Sequence, residues 1–210
     1  MKIKKGLLTL LIPLILIVVN ASLLTTSPYL YVSKGLYATH DSIEYDHDYA
    51  IDRIMGYLNY RYDNLYFGAT EEDDTILMRD IEIRHMKDVK DVYTFLRVLA
   101  LGSLVIVGGI LYTMFRNKET SQLIKVFEKI WVYPMFFVVF VGGYILIDFN
   151  TAFTVFHKIF FSNDDWILYA NDVLILLLPT PFWMVSGIII LVLFVIELFA
   201  LKWMGRKLIK

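Results

Sequence analysis

The chain has 210 residues, is 58% hydrophobic and 20% charged, and has a mean hydropathy of +0.59; these values exclude an ordinary water-soluble domain and describe an integral membrane protein. It contains no cysteine, which excludes disulfides, thiolate metal centres and cysteine nucleophiles. A formal net charge of −1 supplies no global basic field, so no nucleic-acid partner is expected.

Four runs approach the roughly 20 apolar residues that cross a hydrocarbon core as a helix, so the expected fold is an α-helical integral membrane protein with four transmembrane helices. Transmembrane helix 1 is expected over residues 1–26, with its apolar centre from Gly6 to Leu24. Pro13 and Asn20 inside it should face neighbouring helices, where a freed carbonyl or an amide finds a partner. The basic start before LLTLLIPLILIVV also resembles a cleavable signal peptide, but the run is long and no small-x-small cleavage site follows.

Residues 27–93 are expected to form a small extracellular cap. The stretch Thr25–Tyr93 holds 14 Asp/Glu against 7 Lys/Arg and most of the chain's 14 tyrosines, and it is too long and too apolar to be a bare connector. Ile51, Ile54, Met55 and Leu58 recur at helical spacing, arguing an amphipathic helix. ILMRDIEIRH, residues 76–85, alternates imperfectly and predicts a short strand or hairpin arm. From Met86 through Val89, Val92 and Tyr93 the helical period returns and leads into transmembrane helix 2, residues 94–116, where Arg97 can snorkel to the interface.

A cytoplasmic loop is expected at 117–130 and transmembrane helix 3 at 131–149, with Trp131 and Tyr133 as interfacial anchors. The outer interfacial loop, 150–181, continues a stripe of Phe149, Phe153, Phe156 and Phe160 that suits a helix lying at the interface. Ser162, Asn163 and Asp164 end it, and Pro179 and Pro181 precede transmembrane helix 4, residues 182–203, and a cytoplasmic tail, 204–210. Lys2, Lys4 and Lys5, then Arg116, Lys118, Lys125 and Lys129, then Lys202, Arg206, Lys207 and Lys210 all fall on one predicted face. The positive-inside rule makes that face cytoplasmic, with both termini there and the cap outside.

The four histidines are His40, His47, His85 and His157. No Walker loop, GxSxG elbow, HExxH helix or dinucleotide fingerprint accompanies them. HDSIEYDHD offers His40, His47, Asp41, Glu44, Asp46 and Asp48 as metal-ligand types, but the spacing matches no metal signature and a solvated acidic loop explains it, so no metal is expected. The run Glu71, Glu72, Asp73, Asp74 reads as a solvent-facing turn. His85 and His157 differ, because each sits where an outer element meets a span. Asp88, three residues after His85, is placed to orient its ring and fix its tautomer, with Asp91 or Asp148 as alternatives. His157 lies among Phe156, Phe160 and Phe161, whose desolvation favours a neutral imidazole able to act as a base. A satisfied interfacial histidine is the simpler alternative on residue types alone.

Four spans with a cap between the first two, HMKDV (His85 to Val89) before the second span, and FTVFHKIFF (Phe153 to Phe161) with NDDW (Asn163 to Trp166) after the third together resemble the lipoprotein intramolecular transacylase family, Lit, of Gram-positive bacteria. The resemblance covers nearly the whole chain. It implies a multi-pass protein of the bacterial cell membrane whose substrate is a diacylglyceryl-modified lipoprotein among membrane lipids. The sn-2 fatty acid of the diacylglyceryl-cysteine would move to that cysteine's α-amino group, giving a lyso-form lipoprotein. It implies catalytic roles for His85 and His157, with Asp88, Phe153, Phe156 and Trp166 in support. Ester-to-amide conversion runs downhill, so no cofactor is expected. Two other readings stay open on the residues: a lipid or lipoprotein esterase using the same histidines with water, and a non-catalytic membrane sensor or assembly factor with a binding cap. Few intramembrane charges, chiefly Arg97 and Glu197, argue against a transporter.

Overall fold

The computed structural model describes residues 2–26, 28, 29, 33, 35, 46–73 and 75–207. Its helices are α1 (Lys2–Leu23), α2 (His47–Leu58), α3 (Asp80–Arg116), α4 (Thr120–Lys129), α5 (Val132–Ile147), α6 (Phe149–Phe160), α7 (Val173–Leu177) and α8 (Thr180–Lys207). No strand occurs among the described residues. Four stretches are long and apolar enough to cross a membrane: α1, α3, the α4–α5 pair and α8. The chain divides into two compact units, one of Met1–Ala21, Phe95–Phe149 and Gly187–Lys210, the other of Ser22–Thr94 and Asn150–Ser186.

The first unit holds the apolar stretches. Leu8, Val107, Met114, Leu123, Val126, Phe127 and Ile130 form its buried cluster, while Phe136, Val139, Phe140, Leu146 and Ile147 are exposed, as side chains that face lipid should be. Gly205 lets α8 approach α4, because a β-carbon there would lie 2.6 Å from the Phe127 Cβ. Pro13 and Asn20 are both buried, as their positions in the run predict. The Asn20 amide donates to Glu197 Oε2 at 2.9 Å, so each polar group satisfies the other among apolar neighbours. The segment 117–130 holds a helix of its own, α4, with Leu123, Val126 and Phe127 buried.

The second unit has a separate core. Ala50, Ile51, Ile54, Met55 and Leu58 of α2 pack with Leu65, Phe67, Met78, Met86, Leu174, Leu177 and Phe182. The predicted amphipathic helix is therefore present as α2, and Asp46 caps it by accepting from the Asp48 and Tyr49 backbone N–H groups. Of the acidic stretch considered for metal, residues 40–45, with His40, Asp41 and Glu44, lie outside the described residues.

The strand expected over 76–85 does not form. Leu77 N–H donates to the Phe67 carbonyl at 2.9 Å, but α3 starts at Asp80 and runs unbroken past His85. The face it buries is Glu82, His85 and Met86, a helical period in which two of the three side chains are polar. Counting apolar residues alone hides that period and leaves the false alternation.

Glu82 is fully buried and caps two helices at once. One carboxylate oxygen accepts from the Arg79 N–H at 2.8 Å, the reach-back of a capping box at the start of α3. The other accepts from the Leu174 N–H at 2.7 Å, in the first turn of α7, whose own N-cap residue Asp172 makes no side-chain cap. Asp172 instead binds the Arg79 guanidinium at 2.6 Å and the Tyr169 N–H at 2.7 Å. Burial pushes the Glu82 carboxyl up, against the lowering effect of the two backbone donors. Glu82→Ala leaves both N–H groups without their acceptor and should cost about 3 kcal/mol; Glu82→Gln, which keeps acceptor capacity, should cost less. Thermal unfolding in a neutral detergent measures both.

Candidate active site

His85 lies in the second turn of α3 and His157 near the end of α6, and the fold of the second unit brings their rings together at a tilt. The centroids are 5.8 Å apart with an interplanar angle of 36°. Each residue keeps only 6% of its surface exposed. The walls are aromatic: Phe161 lies 5.1 Å from the His85 ring and 5.6 Å from His157, Phe153 lies 4.1 Å and Trp166 5.0 Å from His157, and Phe156 meets it edge-on at 5.5 Å. Phe153, Phe156 and Trp166, named from sequence, thus all touch one imidazole.

The two rings are held differently. His157 Nδ1 is 2.7 Å from the Phe153 carbonyl one turn back. A carbonyl only accepts, so Nδ1 carries the hydrogen and donates, which leaves the lone pair on Nε2. His85 Nδ1 is buried and has no hydrogen-bond partner among the described residues. A buried polar atom without a partner is costly, and this one keeps its capacity for a hydrogen bond unused.

Asp88 does not orient the His85 ring. Its carboxylate accepts from the Asn163 amide at 2.8 Å, tying α3 to the turn that follows α6. Arg84 does the same from the preceding turn of the helix, with Nε 2.9 Å and Nη2 3.1 Å from the two oxygens of Asp165. Three neighbouring positions of α3 therefore face one short segment, the outer two as clamps and the middle one as the imidazole. Spacing alone suggested Asp88 for His85, whereas the competing amide of Asn163 comes from elsewhere in the chain. Asp88, Asp91, Val92, Phe160, Phe161, Ser162 and Asn163 line a cavity of about 200 Å³ beside this enclosure. Arg84 and Asp165 were not singled out from sequence; their opposite charges near the two histidines are the one signal that pointed to them.

Burial, and secondarily the second imidazole, push His85 down to about 4, with Asp88 and Asp165 opposing. Burial also lowers His157, opposed by its bond to the Phe153 carbonyl. Both rings are consequently neutral at pH 7. Arginine holds the Asp165 carboxyl below the usual range through the Arg84 hydrogen bonds. Neutral at pH 7, this pair offers one lone pair aimed from a fixed tautomer and one ring free to hydrogen-bond, an arrangement suited to moving a proton in a dry site.

Comparison with known proteins adds an independent line. The family profile described as lipoprotein intramolecular transacylase Lit matches residues 6–183. No curated protein matches the chain. Among solved structures, the membrane-integral lipoprotein intramolecular transacylase Lit from Bacillus cereus superposes with a TM-score of 0.78 at 19% identity, covering 99% of this chain and 95% of the other. Two variants of that protein with one histidine replaced, by arginine or by alanine, superpose with TM-scores of 0.72 at 19% and 18% identity, covering 99% of this chain and 91% and 93% of theirs.

The depressed value for His85 has a consequence for stability. An unfolded histidine takes up a proton near pH 6.5 and the folded one only near pH 4, so the unfolded state binds more protons across that window. Stability present above pH 6.5 is therefore lost as the pH falls toward 4. For His85 alone the loss should be on the order of 3 kcal/mol. Between pH 7 and 4 the unfolding midpoint of wild type should fall relative to that of His85→Gln, because the variant lacks this slope.

Proposed function

This chain belongs to the Lit family of lipoprotein intramolecular transacylases and is a multi-pass membrane acyltransferase, and from that premise we propose that it moves the sn-2 fatty acid of a diacylglyceryl-cysteine to the α-amino group of the same cysteine. The product is a lyso-form lipoprotein with one N-linked chain and one S-linked monoacylglyceryl group. The observation that carries the reading is the pair of buried, neutral imidazoles 5.8 Å apart, since the substrate holds both nucleophile and ester and needs only proton management and folding.

His157 is the base. The α-amine, with an ordinary pKa of roughly 7.7 to 8.0, is mostly protonated at neutral pH; its neutral form attacks the ester carbonyl while Nε2 of His157 takes a proton from nitrogen. The ring of His85 donates a hydrogen bond to the carbonyl oxygen as it becomes an oxyanion. When the carbon–oxygen bond to the glyceryl group breaks, the His157 imidazolium returns its proton to the departing oxygen. One N–H and one ester are consumed, one amide and one hydroxyl are formed, and the protein ends as it began. The nitrogen, Cα, Cβ, sulfur, two glyceryl carbons, ester oxygen and carbonyl carbon close an eight-membered ring in this step. Phe153, Phe156, Phe161 and Trp166 provide rigid walls against which a flexible lipid terminus folds at low side-chain entropy cost. The scant exposure of both rings keeps water from competing as the nucleophile.

The distribution of lysine and arginine supports cytoplasmic termini and an extracellular site. Incubation of the purified protein with a synthetic diacylglyceryl-cysteine peptide, followed by mass-spectrometric fragmentation, should give an N-acylated product of unchanged mass. Release of free fatty acid instead would make the protein an esterase. His157→Ala should slow transfer by about 10²- to 10⁴-fold, and His85→Ala should also slow it strongly. Full conversion by both variants would remove the mechanism. The rate should rise with pH to about 8, following the amine; burial lowers both imidazoles, so their protonation should limit the rate only below the ordinary histidine range.

A further inference from the structure

A second site lies in the first unit, away from the imidazoles in sequence and in chemistry. Lys5, Thr9, Lys125, Val126, Lys129 and Tyr133 line a groove of about 300 Å³. Lys5 and Thr9 are one turn apart on α1, and Lys125 and Lys129 one turn apart on α4, so each pair presents one face. No acidic residue lines the groove, and among the described residues none of the three lysines is paired with a carboxylate. The nearby acid Glu119 is held by Lys4 at 3.5 Å, and Lys202 sits 4.2 Å over the Trp131 ring. Lys5 donates to the Gln122 side-chain oxygen, which occupies one of the three hydrogens of its ammonium. Three cations converging without a counter-charge repel one another unless an anion joins them.

The surface beyond the groove identifies the anion. Tyr133 begins a stripe of α5 that continues through Phe136 and Phe140, which are 73%, 74% and 75% exposed. Residues spaced by three and four positions share a helix face, and this face is apolar from its first turn onward. A basic recess that opens onto a bare aromatic stripe complements a molecule with a phosphate at one end and hydrocarbon at the other.

We infer that this groove binds the phosphate of an anionic phospholipid, with an acyl chain along the Tyr133, Phe136 and Phe140 face of α5. Tyr133 supplies a hydroxyl donor beside the three ammonium groups, while the Thr9 hydroxyl donates to the Lys5 carbonyl at 2.9 Å. A zwitterionic headgroup brings its own cation to the lysines and is held less well, and a free phosphate gains nothing from the aromatic stripe.

Native mass spectrometry of the full chain, released from neutral detergent and titrated with phosphatidylglycerol, phosphatidylcholine or inorganic phosphate, tests the assignment. Phosphatidylglycerol adducts should persist at activation energies that strip phosphatidylcholine, and millimolar phosphate should not displace them. Lys125→Gln with Lys129→Gln should weaken retention by roughly tenfold with lipid-free thermal unfolding unchanged. Lys5→Gln, on a different helix, should give a smaller loss in the same direction and serves if the double variant unfolds. Equal retention of the two lipids, displacement by phosphate, or undiminished phosphatidylglycerol binding in the lysine variants would overturn the proposal.

Discussion

Keeping two imidazoles uncharged and in contact is the constraint on which the second unit turns. An imidazolium beside another imidazole in an aromatic enclosure is penalised both by lost hydration and by its neighbour, and His85 at about 4 records that penalty. The surrounding groups then have to hold the rings without charging them. Aromatic side chains do this, since they fill volume and resist compression while offering no strong acceptor. The carboxylates close by are turned to other tasks, Asp165 to Arg84 and Asp88 to Asn163.

The same segment that carries His85 also ties the unit together. The opening turns of α3 expose Arg84 to Asp165, bury His85 against His157, and bury Glu82 under the starts of two helices. Each of these uses a polar side chain where a simple amphipathic helix would have leucine. The gain is that the position of the imidazole is fixed from three directions by directed bonds, which specify geometry more narrowly than apolar packing does.

These polar contacts also explain what the sequence discloses and what it hides. The four apolar stretches are legible from run length, the α2 helix because its burial follows the hydrophobic period, and the aromatic stripe of α6 from helical spacing alone, since Phe156 and Phe160 stay exposed and His157 is the buried residue of that helix. The 76–85 segment is misread as a strand because Glu82 and His85, although buried, count as surface residues in any such pattern. α4 goes unseen because its ten residues are too few and too polar to stand out, with burial limited to Leu123, Val126 and Phe127. The proximity of His85 and His157 is anticipated from position, but the partner of Asp88 is not, since an amide 75 residues away outcompetes the ring three residues along. Local spacing ranks candidates for a hydrogen bond; tertiary structure chooses among them.

The hydrogen bond from His157 to the Phe153 carbonyl has a further implication. In the familiar histidine bases, a full negative charge stands behind the ring and stabilises its protonated form. Here only a peptide dipole stands there, and it is main chain, so no side-chain replacement deletes it. A proton arriving on Nε2 finds a weak counterpart and no solvent, and so remains a transient passenger. Such a ring relays a hydrogen quickly between two atoms of one bound molecule and is poorly suited to storing it between separate encounters.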